Sequence, residues 1–229
     1  MHLKPSEAAG PSAVGQGGGG RVRSGVSSLA LGQHPERNVI RLQIRQTPLL
    51  AELDAESLLE LENLLTVVDA PKGEYLLHQG VRDMEHYFII DGLLKRVVAN
   101  LEAKEMILRF ADEREMETSY AAWCLGTPTP YSIVSVTKSR VAKLPMPQWV
   151  AFIQRRPQVR EAFERYVMNL MSEIMAHTIT LHLLDAPGRV HRFKRKHPEM
   201  FNRIPQKELA AYLNLSAETL SRLKQRGKI

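Results

Sequence analysis

Lysine and arginine are the side chains whose density in this sequence points to chemistry. Pro187 to Ile229 holds 11 of them against three Glu and no Asp, a net of +8; Leu49 to Ala186 holds 14 against 20 acidic residues, a net of −6. Cations gathered on one short segment make a surface for phosphates. Other reactive patterns are missing. No nucleophile elbow, HExxH, phosphate-binding loop or pair of catalytic carboxylates occurs, so no catalytic residues and no enzyme are expected. The tract Gly17 to Gly20 lacks the Gly-Lys-Ser/Thr ending that a phosphate loop requires. The single cysteine, Cys124 beside Trp123, excludes a disulfide framework and a cysteine-rich metal site; an isolated thiol of this kind is more often buried than reactive. No metal is expected.

The basic segment contains the stretch that would position it, PQKELAAYLNLSAETLSRLK from Pro205 to Lys224. Leu209, Ala210 and Leu213 share one helical face, and Leu215, Leu220 and Leu223 share the face that packs back. Asn214 between them tolerates the left-handed backbone of a sharp turn, Ser216 suits an N-cap, and small Ala210 lies where the helices would cross. The spacing predicts two short helices presenting the basic surface to DNA.

Upstream elements follow from the apolar period. Residues 1–44, with GQGGGG and few apolar positions, read as a disordered arm. Leu50 to Leu65 repeats at helical spacing. From Tyr75 the period shortens to two: YLLHQG, HYFIIDG, LKRVVAN, EMILRFA, YSIVSVT and RVAKLP read as strands of an antiparallel roll over 45–157. A long helix over 158–186 places Phe163, Val167, Leu170, Ile174, His177 and Leu181 alternately four and three apart, a heptad seam that predicts pairing with a second copy. Pro187 and Gly188 read as a hinge into a DNA-binding segment over 187–229. The fold class is therefore α+β. With no run of eighteen apolar residues and no secretory leader, a cytoplasmic protein without a membrane partner is expected.

The order of elements, together with LLHQG, HYFIIDG, KEMILRF and above all KELAAYLNLSAETLSRL, resembles the Crp/Fnr family of bacterial transcription regulators, that of the cyclic-AMP receptor protein and its oxygen-sensing relatives. The resemblance spans roughly Leu50 to Lys224. It implies a cyclic-nucleotide-binding-like jelly roll, a dimerisation helix and a helix-turn-helix, with double-stranded DNA, a second copy and RNA polymerase as partners. By its motif Glu218 accepts from a cytosine amino group and Arg222 clamps a guanine, a division of labour that carboxylate and guanidinium chemistry supports. As plainer uses, Glu218 favours a helix N-terminus and Arg222 holds a phosphate. Gln206, Ser216, Ala217, Ser221 and Lys224 complete the implied DNA surface, Ala217 standing where relatives often carry another arginine. Five residues, Gln225 to Ile229, follow the motif, too few for the β-hairpin wing of many relatives. Alignment places Thr118-Ser119 and Tyr131-Ser132 at the effector pocket. The Glu and Arg that hold the ribose and cyclic phosphate in nucleotide binders are missing from those positions, so cyclic AMP is not expected, although another small effector remains open. No cysteines stand ready for an iron–sulfur cluster. The alternative is a small-molecule-sensing roll whose C-terminal helices dock a protein.

Overall fold

The period-two stretches become two antiparallel sheets in the computed structural model, which describes residues 26–102, 104–227 and 229. The strands are β1 (Ser27–Ala30), β2 (Thr66–Ala70), β3 (Tyr75–Leu77), β4 (Glu85–Asp91), β5 (Leu94–Ala99), β6 (Glu105–Ala111), β7 (Met116–Thr118), β8 (Ser132–Ser135) and β9 (Ser139–Pro145). One sheet runs β1-β2-β9-β4-β7 and the other β3-β8-β5-β6. Strand β4 shows why they stack. Its Tyr87 and Ile89 enter a core between the sheets with Val68, Leu94, Ile133 and Val141, whereas Phe88 and Ile90, one residue out of phase, meet a helical layer with Trp149, Phe152 and Phe163. The turn into β5 needs glycine. Gly92 has φ +95°, and a Cβ there would lie 2.6 Å from the Lys138 carbonyl oxygen.

The helices are α1 (Arg37–Ile44), α2 (Ala55–Leu64), α3 (Tyr120–Cys124), α4 (Met146–Gln154), α5 (Pro157–Leu183), α6 (Ala186–Lys196), α7 (Pro198–Arg203), α8 (Gln206–Tyr212) and α9 (Ala217–Gln225). None of those described is long and apolar enough to cross a membrane.

Three expectations are corrected. Residues 27–44 are not an arm: β1 pairs antiparallel with β2, and Leu31, Ile40 and Ile44 are buried in the helical-layer core. Their few apolar side chains suffice because the sheet supplies the other half of each contact. Residues 1–25 of the expected arm lie outside the described residues. Pro187 and Gly188 are not a hinge but the first turn of α6, whose N-cap, Asp185, accepts a 2.9 Å bond from the Gly188 N–H. The third correction concerns the seam. Phe163 and Val167 are buried in their own domain's core, Leu170 is buried too, and Ile174, His177 and Leu181 are half-buried. For Phe163, Val167 and Leu170 the regular spacing records packing within the chain. Met168, Met171, Met175 and Ile179 form the exposed stripe of α5. Cys124 is exposed, where burial is the commoner fate of a lone thiol.

Helices α6 to α9 close over one end of the roll. Val190, Phe193, Leu209, Ala210, Leu213 and Leu220 share a single apolar cluster with Leu93, Ile107, Phe110 and Val136 of the strands and turns.

Candidate functional site

Helix α8 ends in two backbone bonds of a Schellman turn: Asn214 N–H donates to the Ala211 carbonyl at 3.1 Å and Leu215 N–H to the Ala210 carbonyl at 2.9 Å. Asn214 takes the left-handed conformation expected of it, φ 53°. Two residues on, Ser216 caps α9 by accepting from the Thr219 N–H at 3.1 Å. Buried Ala210 and Leu220 bring the two helices together. Sequence reasoning missed the brace beneath the turn: Arg189 of α6 donates to the Leu213 carbonyl at 3.2 Å and the Asn214 carbonyl at 3.4 Å. An arginine four residues after an N-cap carries no local signal of such a contact.

This framework leaves the outer face of α9 open. Ser216, Ala217, Glu218, Arg222 and Lys224 are exposed, Ser221 is half-buried, and Gln206 is exposed at the start of α8. Glu218 and Arg222 stand one turn apart on the same side. The Glu218 carboxyl is held below the usual carboxylate range by its own backbone N–H, then by the Ser216 hydroxyl, with Arg222 adding a smaller pull. Lys194 of α6 and Lys224 of α9 both approach the Phe201 ring, at 5.5 and 5.8 Å, so cations from two helices converge beside the motif.

The residues aligned to an effector pocket are buried in the roll, but their bonds are already taken. The Tyr131 hydroxyl donates to the Thr118 carbonyl at 2.7 Å, Ser119 Oγ lies 3.2 Å from Thr129 Oγ1, and Ser132 Oγ turns toward β3 to accept from the Gln79 N–H at 2.9 Å. Thr118 and Tyr131 are thus brought together, while Ser132 points elsewhere.

Arg96 and Glu117, which sequence reasoning overlooked, fill the space between them together with Arg109. Arg96 of β5 is fully buried, stacks over Tyr131 with 4.1 Å between guanidinium carbon and ring centroid, and binds Glu117 through Nε at 3.0 Å and also through Nη2. Arg109 of β6 reaches the other oxygen of Glu117 at 3.1 Å, though without hydrogen-bond alignment, and donates to Glu115 at 2.8 Å. Burial opposes the Arg109 charge, yet Glu117 and Glu115 outweigh it and raise its pKa. A single acid sharing two arginines from different strands leaves no trace in local spacing.

A cleft lies at the meeting of β6, α5, α6 and α8, enclosing about 70 Å³ of free volume. His177 closes part of it, stacked on Tyr212 at 3.8 Å with Nε2 3.1 Å from the Tyr212 carbonyl. Burial pushes the imidazole down to about 4. Among the described residues no cluster of His, Cys, Asp and Glu is disposed to hold a metal.

Comparison with known proteins agrees with this architecture. Residues 67–156 match the cyclic nucleotide-binding domain family. No curated protein sequence matches the chain. Among solved structures, the c-di-GMP responsive global regulator CLP of Xanthomonas campestris superposes with a TM-score of 0.63 at 15% identity, covering 76% of this chain and 92% of that one. FixK2 of Bradyrhizobium japonicum gives 0.63 at 15% identity over 71% and 86%. The catabolite activator protein of Thermus thermophilus gives 0.50 at 22% over 79% and 88%. Residues 67–156 thus resemble a cyclic nucleotide-binding domain, and over about three quarters of its length the chain shares the fold of CLP and FixK2.

Proposed function

We propose that the protein is a homodimeric transcription regulator that reads DNA sequence through α9 and is not controlled by cyclic AMP. The observation that carries this reading is the state of α9. It is capped at its N-terminus and anchored by Leu220, and it presents Glu218 and Arg222 together on an open face of a segment with net charge +8. Arg222 takes guanine O6 and N7, Glu218 a cytosine amino group, and Gln206, Ser216 and Lys224 add backbone contacts that set the register. Residues 187–229 form the DNA-binding part.

Two copies joined along α5 would set two recognition helices on successive major grooves roughly 34 Å apart. The exposed stripe of Met168, Met171, Met175 and Ile179 is the face available for that pairing, and unbranched methionines adapt to a matching surface.

The interior of the roll supports independence from cyclic AMP. A nucleotide entering there meets the Arg96–Glu117–Arg109 charges already paired. Separating a buried ion pair costs about 3–5 kcal/mol. No free carboxylate or guanidinium remains at Thr118-Ser119 or Tyr131-Ser132 to offset that.

Selection of bound fragments from a random DNA pool, with wild type and Arg222→Ala compared at one fixed salt concentration, tests the reading. Arg222→Ala is expected to lose discrimination at one base position by about 1–3 kcal/mol while keeping its binding to unrelated sequence. Should Arg222→Ala select the same fragments with the same affinity, base reading by α9 is wrong.

A further inference from the structure

The cleft between the roll and the C-terminal helices has an uneven charge balance. Its floor is apolar, formed by Leu170, Ile174, Phe193 and Tyr212. Four cations line it: Arg109, Arg189, Arg192 and Lys196. The two acids present are spoken for, since Glu115 accepts from Arg109 at 2.8 Å and Glu173 from Lys196 at 2.9 Å. Arg189 binds carbonyl oxygens of Leu184, Leu213 and Asn214, which leave its charge unneutralised. Arg192 is exposed and forms no ion pair with any described residue. At the inner end, Arg109 is more than nine-tenths buried and is paired with Glu115 at 2.8 Å and Glu117 at 3.1 Å, so the unpaired charge of the cleft is that of Arg189 and Arg192.

His177 and His197, the other titratable groups on the cleft, do not alter the balance. Burial is the first cause holding both below the usual imidazole range, so they are neutral near pH 7.

We propose that this cleft binds a compact organic anion, a carboxylate or phosphate ester on a small apolar body, with its anionic head on Arg192 and Arg189 and its body over Ile174 and Phe193. The free volume of about 70 Å³ sets the size. That is room for about two water molecules, enough for the anionic head with the body lying along the open mouth, and far too little for a dinucleotide. None of Thr118, Ser119, Tyr131 and Ser132 lines the cleft, so the site is not the one aligned to the effector pocket. A ligand here touches the roll, the long helix and the DNA-binding segment together and ties them in one arrangement.

Benzoate, phenyl phosphate and the neutral control benzyl alcohol serve as probes, titrated into the full chain without DNA while the Ile174 methyl is followed by NMR. One or both anions are expected to move that methyl saturably, and whichever does so identifies the head group. Benzyl alcohol should have at least tenfold weaker effect. Arg192→Glu, at an exposed position that leaves the fold intact, should weaken anion binding at least tenfold. Equal response to benzyl alcohol, undiminished binding by Arg192→Glu, or no saturable movement with either anion overturns the proposal. Because DNA is absent from the measurement, failure of base reading by α9 would leave this result standing, and the reverse holds as well.

Discussion

His86 is fully buried between Trp149, stacked at 4.3 Å, and the edges of Phe88 and Phe163, and neither ring nitrogen has a hydrogen-bond partner among the described residues. Burial alone pushes its pKa down to about 3. The sign of the consequence is fixed by linkage. The folded state refuses a proton that the unfolded chain accepts below about 6.5, so this contribution to stability is intact above that pH and is lost as pH falls toward 3. Between pH 7 and pH 5 the loss from this one group is about 2 kcal/mol. His177 and His197 shift in the same direction, so the difference between wild type and His86→Phe isolates the His86 share. Urea denaturation of both proteins at pH 7 and pH 5 is expected to show a smaller loss for His86→Phe; equal losses would mean that His86 is not a desolvated neutral imidazole. The HYFIIDG pattern announced a strand here, yet nothing in it showed that this histidine would be roofed by Trp149 from a helix sixty residues later. Glu117 and Arg96 were hidden in the same way. A charged residue inside a strand pattern reads as a solvent-facing position, and only the partner from another strand reveals that it is buried.

At the scale of elements, α5 shows how a correct period can be assigned to the wrong partner. Phe163, Val167 and Leu170 alternate by four and three because one side of the helix lies along its own chain, with Phe163 completely buried. The apolar face left over is Met168, Met171, Met175 and Ile179, with Met168 and Met175 65% and 64% exposed. Exposed apolar side chains aligned on one helix mark a contact surface. Met175→Glu places a carboxylate on that face without entering the core. Sedimentation of Met175→Glu is therefore expected to give a monomer where wild type gives a dimer, with operator affinity reduced at least tenfold; a dimer of unchanged stability would place the contact elsewhere. The two-helix motif is the opposite case. Asn214, Ser216, Ala210 and Leu220 all take the positions their residue types suggested, since a tight turn, a cap and a helix crossing are set by neighbours a few residues away.

On the scale of the whole molecule, the roll and the C-terminal helices are joined by both charge and apolar contact, and magnitude decides which matters. Arg203 bridges to Glu113 at 2.6 Å and Asp112 at 3.5 Å, but the partners are partly exposed and such pairs contribute about 0–1 kcal/mol. Lys95 with Glu208, at 2.9 Å and less exposed, falls between surface and buried pairs. Phe110 is buried in the cluster shared with Leu209, Leu213 and Leu220, its ring 5.1 Å from that of Tyr212. Truncating a buried phenylalanine costs about 3–5 kcal/mol. Calorimetry is accordingly expected to show one unfolding transition for wild type, two for Phe110→Ala, and still one for Arg203→Gln. If Arg203→Gln separates the transitions and Phe110→Ala does not, ion pairing holds the two parts together.

The sequence by itself determined the two-period roll, the long helix, the basic C-terminal segment and the geometry of its turn, because each depends on residues within a few positions of one another. The tertiary structure alone decided three things: that residues 27–44 belong to the roll, that the regular face of α5 turns inward, and that the interior of the roll is filled by Arg96, Glu117 and Arg109. Each of these depends on which distant segment covers a given side chain. A period states that a face is apolar; it does not say what lies against it.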